Sequence, residues 1–318
     1  MRKVMLIDAA GLERRLAEHL RRRELPDALL YTGADGARQW LRLDRSGAFD
    51  IASALTDLLR RSVSRIAASL AGGIDVLSLG VGEGAKERIL LEWLLGRGTR
   101  RYVAVDVSEP LVDRAVGRVE DMDLERIGVV AFCEDLPRFR DRARSPALVC
   151  LLGNNLSNHE PGALLDVLAS CLGPADRLLL DCHVLPDGPL RRRRWRRHVQ
   201  ATYGSEANAL FNLGPLLGRG LRREQAEFTL DLQPAATPAG PALCTCKRIR
   251  FLDDVTLDVD GAAVAFPAGA TLTMGFTYKY QRAQLHDLLR RHGLAVDLEF
   301  RGGRNEYLLL LARKAIER

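Results

Sequence analysis

The chain has 318 residues, of which 47% are hydrophobic and 28% charged, with a formal net charge of +6 at pH 7. That balance describes an ordinary globular protein and excludes a disordered or fibrous one. Its apolar runs are far shorter than a bilayer span, and the first residues lack an apolar core with a small-residue cleavage site. No membrane partner and no secretion are therefore expected, and the cytoplasm is the expected compartment. The cysteines, Cys133, Cys150, Cys171, Cys182, Cys244 and Cys246, include no pair with a second cysteine or histidine pair nearby, so no metal site is expected.

In chain order, Leu6 to Leu70 reads mostly helical. LERRLAEHLRRREL is amphipathic and stops at Pro26, and a looser polar segment covers Thr32 to Gly36. A longer helix is predicted from about Ser53 to Leu70, with Leu55, Leu58, Leu59, Val63, Ile66 and Leu70 at helical spacing. Gly72 and Gly73 separate it from the segment DVLSLGVGEGAK, Asp75 to Lys86. This is an apolar strand that breaks into Gly80, Gly82 and Gly84 and passes into the helical pattern KERILLEWLLGRG. A strand, a glycine turn and a helix form the first unit of a doubly wound α/β sheet, with free N–H groups at the turn for a ligand.

The next strand, RYVAVD, ends in Asp106, where an acid can accept both hydroxyls of a ribose. VVAFCEDLPRF places Asp135 just after a third strand, and ALVCLLGNNLSN is a fourth. These consecutive strand ends face one cleft and predict a nucleoside-binding domain. The glycines fall as G-x-G-x-G, with acids ending strands two and three, which resembles the S-adenosylmethionine pattern of class I methyltransferases. No glycine loop ends in Lys-Ser/Thr, so a phosphate-cradling NTPase is not expected.

A fifth strand is expected to end near Asp181 and His183. From Pro186 to Thr273 the texture changes. The run RRRRWRR, Arg191 to Arg197, could grip a polyanion or be a solvated helix face with its stems packed over a joint. The solvated face is favoured, and a nucleic-acid partner is not expected. A Pro/Ala/Gly stretch from Gln233 to Ala242 follows, then alternating strands around an Asp260–Gly261 hairpin turn. The chain closes with a helix and two strands.

GVGEGAKERILLEWLL, VAVDVS, the Gly-Asn-Asn-Leu-Ser-Asn run from Gly153, ATYGSEANALFNLGPLL and FTYKYQRAQLHDLLRRHGL together resemble the histidine-specific methyltransferases of ergothioneine biosynthesis. The collinear resemblance covers roughly residues 50 to 315. It implies a class I Rossmann-like sheet with an inserted α+β substrate-binding lobe joined by N-terminal helices. Residues 1–70 then contribute to the substrate lobe, 71–185 and 274–318 form the S-adenosylmethionine domain, and 186–273 are the insertion.

The resemblance also implies site residues. Gly80, Gly82 and Lys86 fall on the cofactor loop, Asp106 on the ribose acid, and Asp135 with Leu136 on the adenine contact. Asn158 falls on the asparagine that holds the substrate's amino acid head, and Tyr203 on a tyrosine near its carboxylate or amine. Both would orient the nitrogen for methyl transfer. Thr277 replaces a serine that helps bind the substrate side chain.

Two departures bear on the acceptor. Gly275 stands where the family carries a glutamate that grips imidazole, which implies a wider and less acidic wall. The family's N-terminal tyrosines have no clear counterpart here. The expected activity is S-adenosylmethionine-dependent N-methylation of an amino acid or amino-acid-derived small molecule, such as a natural product, other than free histidine. The alternatives are a peptide or RNA acceptor, or a non-catalytic cofactor-binding scaffold.

Overall fold

A computed structural model describes residues 2–46, 51–160, 162–302 and 306–315. The chain opens with β1 (Arg2–Met5), α1 (Ala9–Arg21) and the two-residue β2 (Glu24–Leu25). A 3₁₀ turn (Asp27–Tyr31), α2 (Gly33–Arg45) and α3 (Ile51–Ser69) follow. The α/β alternation then runs β3 (Asp75–Leu79), α4 (Ala85–Leu95), β4 (Arg101–Asp106), α5 (Glu109–Gly117) and β5 (Glu125–Val130). It continues through β6 (Ala147–Leu151), α6 (Ala163–Cys171) and β7 (Arg177–His183). Beyond it lie α7 (Pro189–Tyr203), α8 (Glu206–Leu217), β8 (Ala226–Ala235) and β9 (Ala242–Phe251). The last elements are β10 (Val255–Val259), β11 (Ala262–Phe266), β12 (Thr271–Lys279), α9 (Arg282–Arg291), β13 (Leu294–Gly302) and β14 (Tyr307–Lys314).

Among the described residues the large sheet has the order β1-β5-β4-β3-β6-β7-β14-β13. All neighbours are parallel except β14, which runs against both β7 and β13. Every residue of β3 and β6 is buried, Asp75 and Ser78 included, as strands flanked by helices on both faces must be. Val76 packs toward α3, α4 and α5, while Leu77 and Leu79 pack toward α6 and α9. The chain leaves β3 toward β4 on one side and reaches β6 on the other. The crevice at the ends of β3 and β6 is thus the topological switch point, where α/β sheets bind ligands.

A second, four-stranded sheet has the order β2-β12-β9-β8 and packs with α1, α8 and the β10–β11 hairpin around its own apolar cluster. Asp260 and Gly261 both take positive φ (55° and 70°) in that hairpin's turn, as the Asp-Gly signal predicts. The two sheets draw on the chain less tidily than its order suggests. β1 is an edge strand of the large sheet, and α3 lies on that sheet against α4, β13 and β14. β12, with Thr277, belongs to the small sheet. An apolar stripe says that a helix is buried without saying against what.

The arginine run lies on α7. Arg191, Arg193, Arg194, Arg196 and Arg197 are exposed, but Trp195 is buried and donates its indole N–H to Nε2 of His183 at 3.0 Å. The run therefore presents no exposed ring for a base to stack on.

Candidate active site

The glycine loop after β3 forms one wall of a cavity of about 280 Å³ at the switch point. Gly80 adopts φ 62°, and a Cβ there would collide with the amide of Asn155. That amide is a staple: Asn155 Nδ2 donates to the carbonyls of Gly80 at 3.1 Å and Leu152 at 2.9 Å, tying the glycine loop to the end of β6. The loop after β6 is held in turn by Asp181, whose carboxylate accepts from the backbone N–H groups of Gly153 and Asn154 at 2.8 and 2.6 Å.

Asp106 ends β4 and is 7% exposed. Its Oδ2 accepts from Gly82 N and its Oδ1 from Ser108 N, both at 3.0 Å. Burial pushes this carboxyl up to about 6, against the lowering effect of those N–H bonds. Each oxygen has used one acceptor position and keeps capacity for another, which suits a vicinal diol. Lys86, in the first turn of α4, lines the same cavity, as does Asp44 of α2. Burial raises the Asp44 carboxyl above its ordinary value, and the nearby Lys86 charge partly offsets this.

Asn158 lies on the cavity beside His159, whose Nδ1 is hydrogen-bonded to the carboxyl group of Glu134 at 2.8 Å. Thr277 Oγ1 donates to Asn158 Oδ1 at 2.9 Å, and the Asn158 Nδ2 donors have no hydrogen-bond partner among the described residues. Tyr203 is buried, and its hydroxyl lies 3.4 Å from the ammonium of the fully buried Lys279. Burial depresses the Lys279 pKa to about 8. Burial likewise keeps His183 well below its ordinary pKa.

The structure thus brings Gly80, Gly82, Lys86, Asp106 and Asn158 to one cavity. Thr277 and Tyr203 stand behind the wall rather than in it. Asp135 also lies off the cavity, paired with Arg138 at 3.2 Å, and Leu136 is part of the core beneath the sheet. From that segment Phe132, Cys133 and Glu134 form the wall instead.

Sequence reasoning assigned the N-terminal segment to the substrate lobe but named none of its residues at the cavity. Asp27, Tyr31, Trp40, Asp44, Leu55 and Thr56 all line the cavity. Tyr31 and Trp40 pack with Phe211 in one aromatic cluster, with ring centroids 5.2–5.7 Å apart. Where no clear counterpart of the family's N-terminal tyrosines was expected, Tyr31 of the 3₁₀ turn and Trp40 of α2 supply aromatic rings to the cavity. The expectation drawn from Gly275 is corrected. The carboxylate of Asp27 fills the space that a side chain at position 275 would take, so the wall there is neither wider nor less acidic. No sequence signal joins residues so far apart.

Among the described residues no group of three or more His, Cys, Asp and Glu side chains could hold a metal ion, and no helix is long and apolar enough to cross a membrane.

A mostly parallel sheet closed by an antiparallel strand, a glycine loop and a strand-end acid at its switch point define a class I S-adenosylmethionine-dependent methyltransferase. The chain belongs to the family described as histidine-specific, SAM-dependent methyltransferases, whose pattern matches residues 10–314. A search of the curated proteins found no match. The fold is similar to magnesium protoporphyrin IX methyltransferase from Synechocystis, solved with bound S-adenosylhomocysteine. That match has 13% identity and a TM-score of 0.47, covering 90% of this chain and 97% of that one. Similar too is 1,6-didemethyltoxoflavin-N1-methyltransferase from Burkholderia thailandensis, with 17% identity and a TM-score of 0.43, covering 81% and 79%. A S-adenosylmethionine-dependent methyltransferase from Clostridium acetobutylicum shows 11% identity and a TM-score of 0.45, covering 88% and 98%.

Proposed function

We propose that the enzyme is an N-methyltransferase for an amino acid or amino-acid-derived small molecule, a natural-product precursor among them; the exclusion of free histidine that Gly275 implied loses its ground, because Asp27 brings a carboxylate to that wall. The observation that carries this reading is Asn158. It lies on the same cavity as the glycine loop and Asp106, its carbonyl is engaged by Thr277, and its Nδ2 donors are available to an acceptor's carboxylate.

The residues present fit the cofactor. Asp106 would accept from the ribose hydroxyls, Cys133 and Glu134 would flank the base, and Gly80 and Gly82 would let the backbone approach the tail. Lys86 and Asp44 carry opposite charges on one wall and match a zwitterionic amino acid tail. When bound, S-adenosylmethionine supplies an electrophilic methyl on a sulfonium. The chain's part is then to hold a neutral amine in line with it and exclude water. A desolvated pocket lowers an ammonium pKa, so a dedicated strong base is not required. In this reading the large sheet is the cofactor side, and the small sheet, with the 3₁₀ turn that carries Asp27 and Tyr31, is the acceptor side.

The test is a purified-enzyme assay of amino acids and their amide or peptide derivatives, scored by S-adenosylhomocysteine release and product mass. Methylation of an amino-acid-like amine is expected, abolished by Asn158→Ala with cofactor binding intact. Release of S-adenosylhomocysteine with none of these amines would overturn the acceptor reading.

A further inference from the structure

β2 is only two residues long, yet it pairs in parallel with Thr273 and Met274 of β12. That pairing delivers the chain, through Pro26, into the 3₁₀ turn that starts at Asp27, directly over Gly275. The β12–β9 ladder shifts register between Thr273 and Phe276, and Lys247 of β9 stands opposite this irregular stretch. A Cβ on residue 275 would lie 2.7 Å from the backbone nitrogen of Asp27 and inside its carboxyl group. The missing side chain is what lets Asp27 occupy the wall.

Asp27 and Lys247 form an ion pair through Oδ1, with side chains only 11% and 8% exposed. Asp27 lines the cavity and Lys247 does not, so the ammonium backs the carboxylate from behind. Among the described residues nothing hydrogen-bonds to Oδ2 of Asp27. Gly275 and Thr277 are two residues apart on β12, about 7 Å along a strand. Asp27 over the first and Asn158 bonded to the second are therefore neighbours on the acceptor side.

The chemistry of such a pair is selective. A solitary buried carboxylate would recruit a cation, because an unpaired charge in a poorly solvated site is costly. Here Lys247 already supplies the counter-charge. A cationic side group entering the cavity would add an excess charge, and a group with no donor would leave Oδ2 desolvated and unbonded. An uncharged N–H or O–H donor satisfies Oδ2 without either penalty. The rings of Tyr31, Trp40 and Phe132 on the same cavity suit a flat group.

We propose that Asp27, backed by Lys247, determines specificity by selecting an acceptor whose side group is uncharged and carries an N–H or O–H donor. This rests on the amino-acid acceptor reading given above. The experiment is calorimetric titration of the protein saturated with S-adenosylhomocysteine. The probes are L-tryptophan, L-tyrosine and L-glutamine as uncharged donors, L-lysine and L-arginine as cations, and L-phenylalanine as the donor-free ring. At least one donor should bind about tenfold or more tighter than phenylalanine and the cations. In Lys247→Met the ratio of cation to donor affinity should rise at least about tenfold, because the carboxylate loses its counter-charge. Should that variant fail to fold, Asp27→Leu with Lys247→Met removes both charges together and should bind donors and phenylalanine within about threefold. Failure of S-adenosylhomocysteine to bind would overturn the methyltransferase site assignment. Binding of the homocysteine but of no amino acid would overturn the acceptor reading and this inference with it. Donor and cation affinities that do not respond to loss of Lys247 would overturn this inference alone.

Discussion

The hydroxyl of Thr277 donates to Oδ1 of Asn158 at 2.9 Å, and this bond, with that of the Tyr278 hydroxyl to Glu160 at 3.4 Å, joins the small sheet to the loop after β6 on the large one. It also sets the amide's orientation, since the accepting end faces Thr277 and the donating end is left over. Thr277→Val keeps the shape and removes the donor. The expected loss is about 1 kcal/mol of acceptor affinity, a KM increase of roughly fivefold. Cofactor affinity should stay unchanged, and Thr277→Ser should restore the KM. Steady-state kinetics beside calorimetry with S-adenosylhomocysteine measure both.

Asp106 makes cofactor binding pH-dependent. Ribose hydroxyls donate to the carboxylate, so binding favours the ionised form of a group raised to about 6. Affinity should be flat above about pH 7 and fall as pH drops through 6, approaching a tenfold loss per unit. Folding has the opposite sign. The acid's folded pKa lies above its ordinary value of 3.8, so its burial costs stability above pH 6, and the cost is relieved as pH falls toward 3.8. Asp106→Asn should remove the inflection in binding and weaken the complex by about 1.5–3 kcal/mol. Calorimetry between pH 5 and 8 would refute this if the profile kept its inflection in the variant.

Lys279 predicts a stability profile. Its folded pKa of about 8 lies below the ordinary 10.5. Between these values the unfolded chain holds more protons than the folded one, so stability from this group rises with pH across that window. The buried ammonium costs on the order of 3 kcal/mol below pH 8. Lys279→Met should flatten the dependence in urea unfolding at pH 7.5, 8.5 and 9.5. An identical slope in both proteins would show that Lys279 is charged at no cost.

The arginine run should be silent in catalysis. Its guanidinium groups are mostly exposed, while its aromatic residue is buried against His183. Replacing Arg191–Arg194 with Gln should leave turnover of a small acceptor within about twofold, with no steep salt slope to lose. A salt-dependent KM in the unmodified enzyme, flattened by the change, would point to an anionic acceptor.

The large sheet was legible because its determinants are local. The apolar runs of β3, β4 and β6, the alternate glycines and the acid at the end of β4 each specify a strand, a turn or a strand end within a few residues. Those same signals lead to Asp106 and the glycine loop, which share one cavity. Asp135 and Leu136 show how little a one- or two-residue register shift needs in order to move a side chain. The 3₁₀ turn after β5 presents Cys133 and Glu134 to the cavity, turns Asp135 toward Arg138 and sinks Leu136 into the core.

What the sequence by itself determined was the class of fold, the cofactor and the positions of the glycine loop, Lys86 and the strand-end acid. The acceptor wall was decided only in three dimensions. Asp27, Lys247 and Gly275 meet because a two-residue strand pairs with the edge of β12, an event with no periodicity and no motif. A glycine in a strand reads as an absence until the chain that crosses it is known. Tertiary packing turned that absence into the seat of a buried carboxylate, because only a position without a Cβ admits another backbone 2.7 Å from where that Cβ would stand.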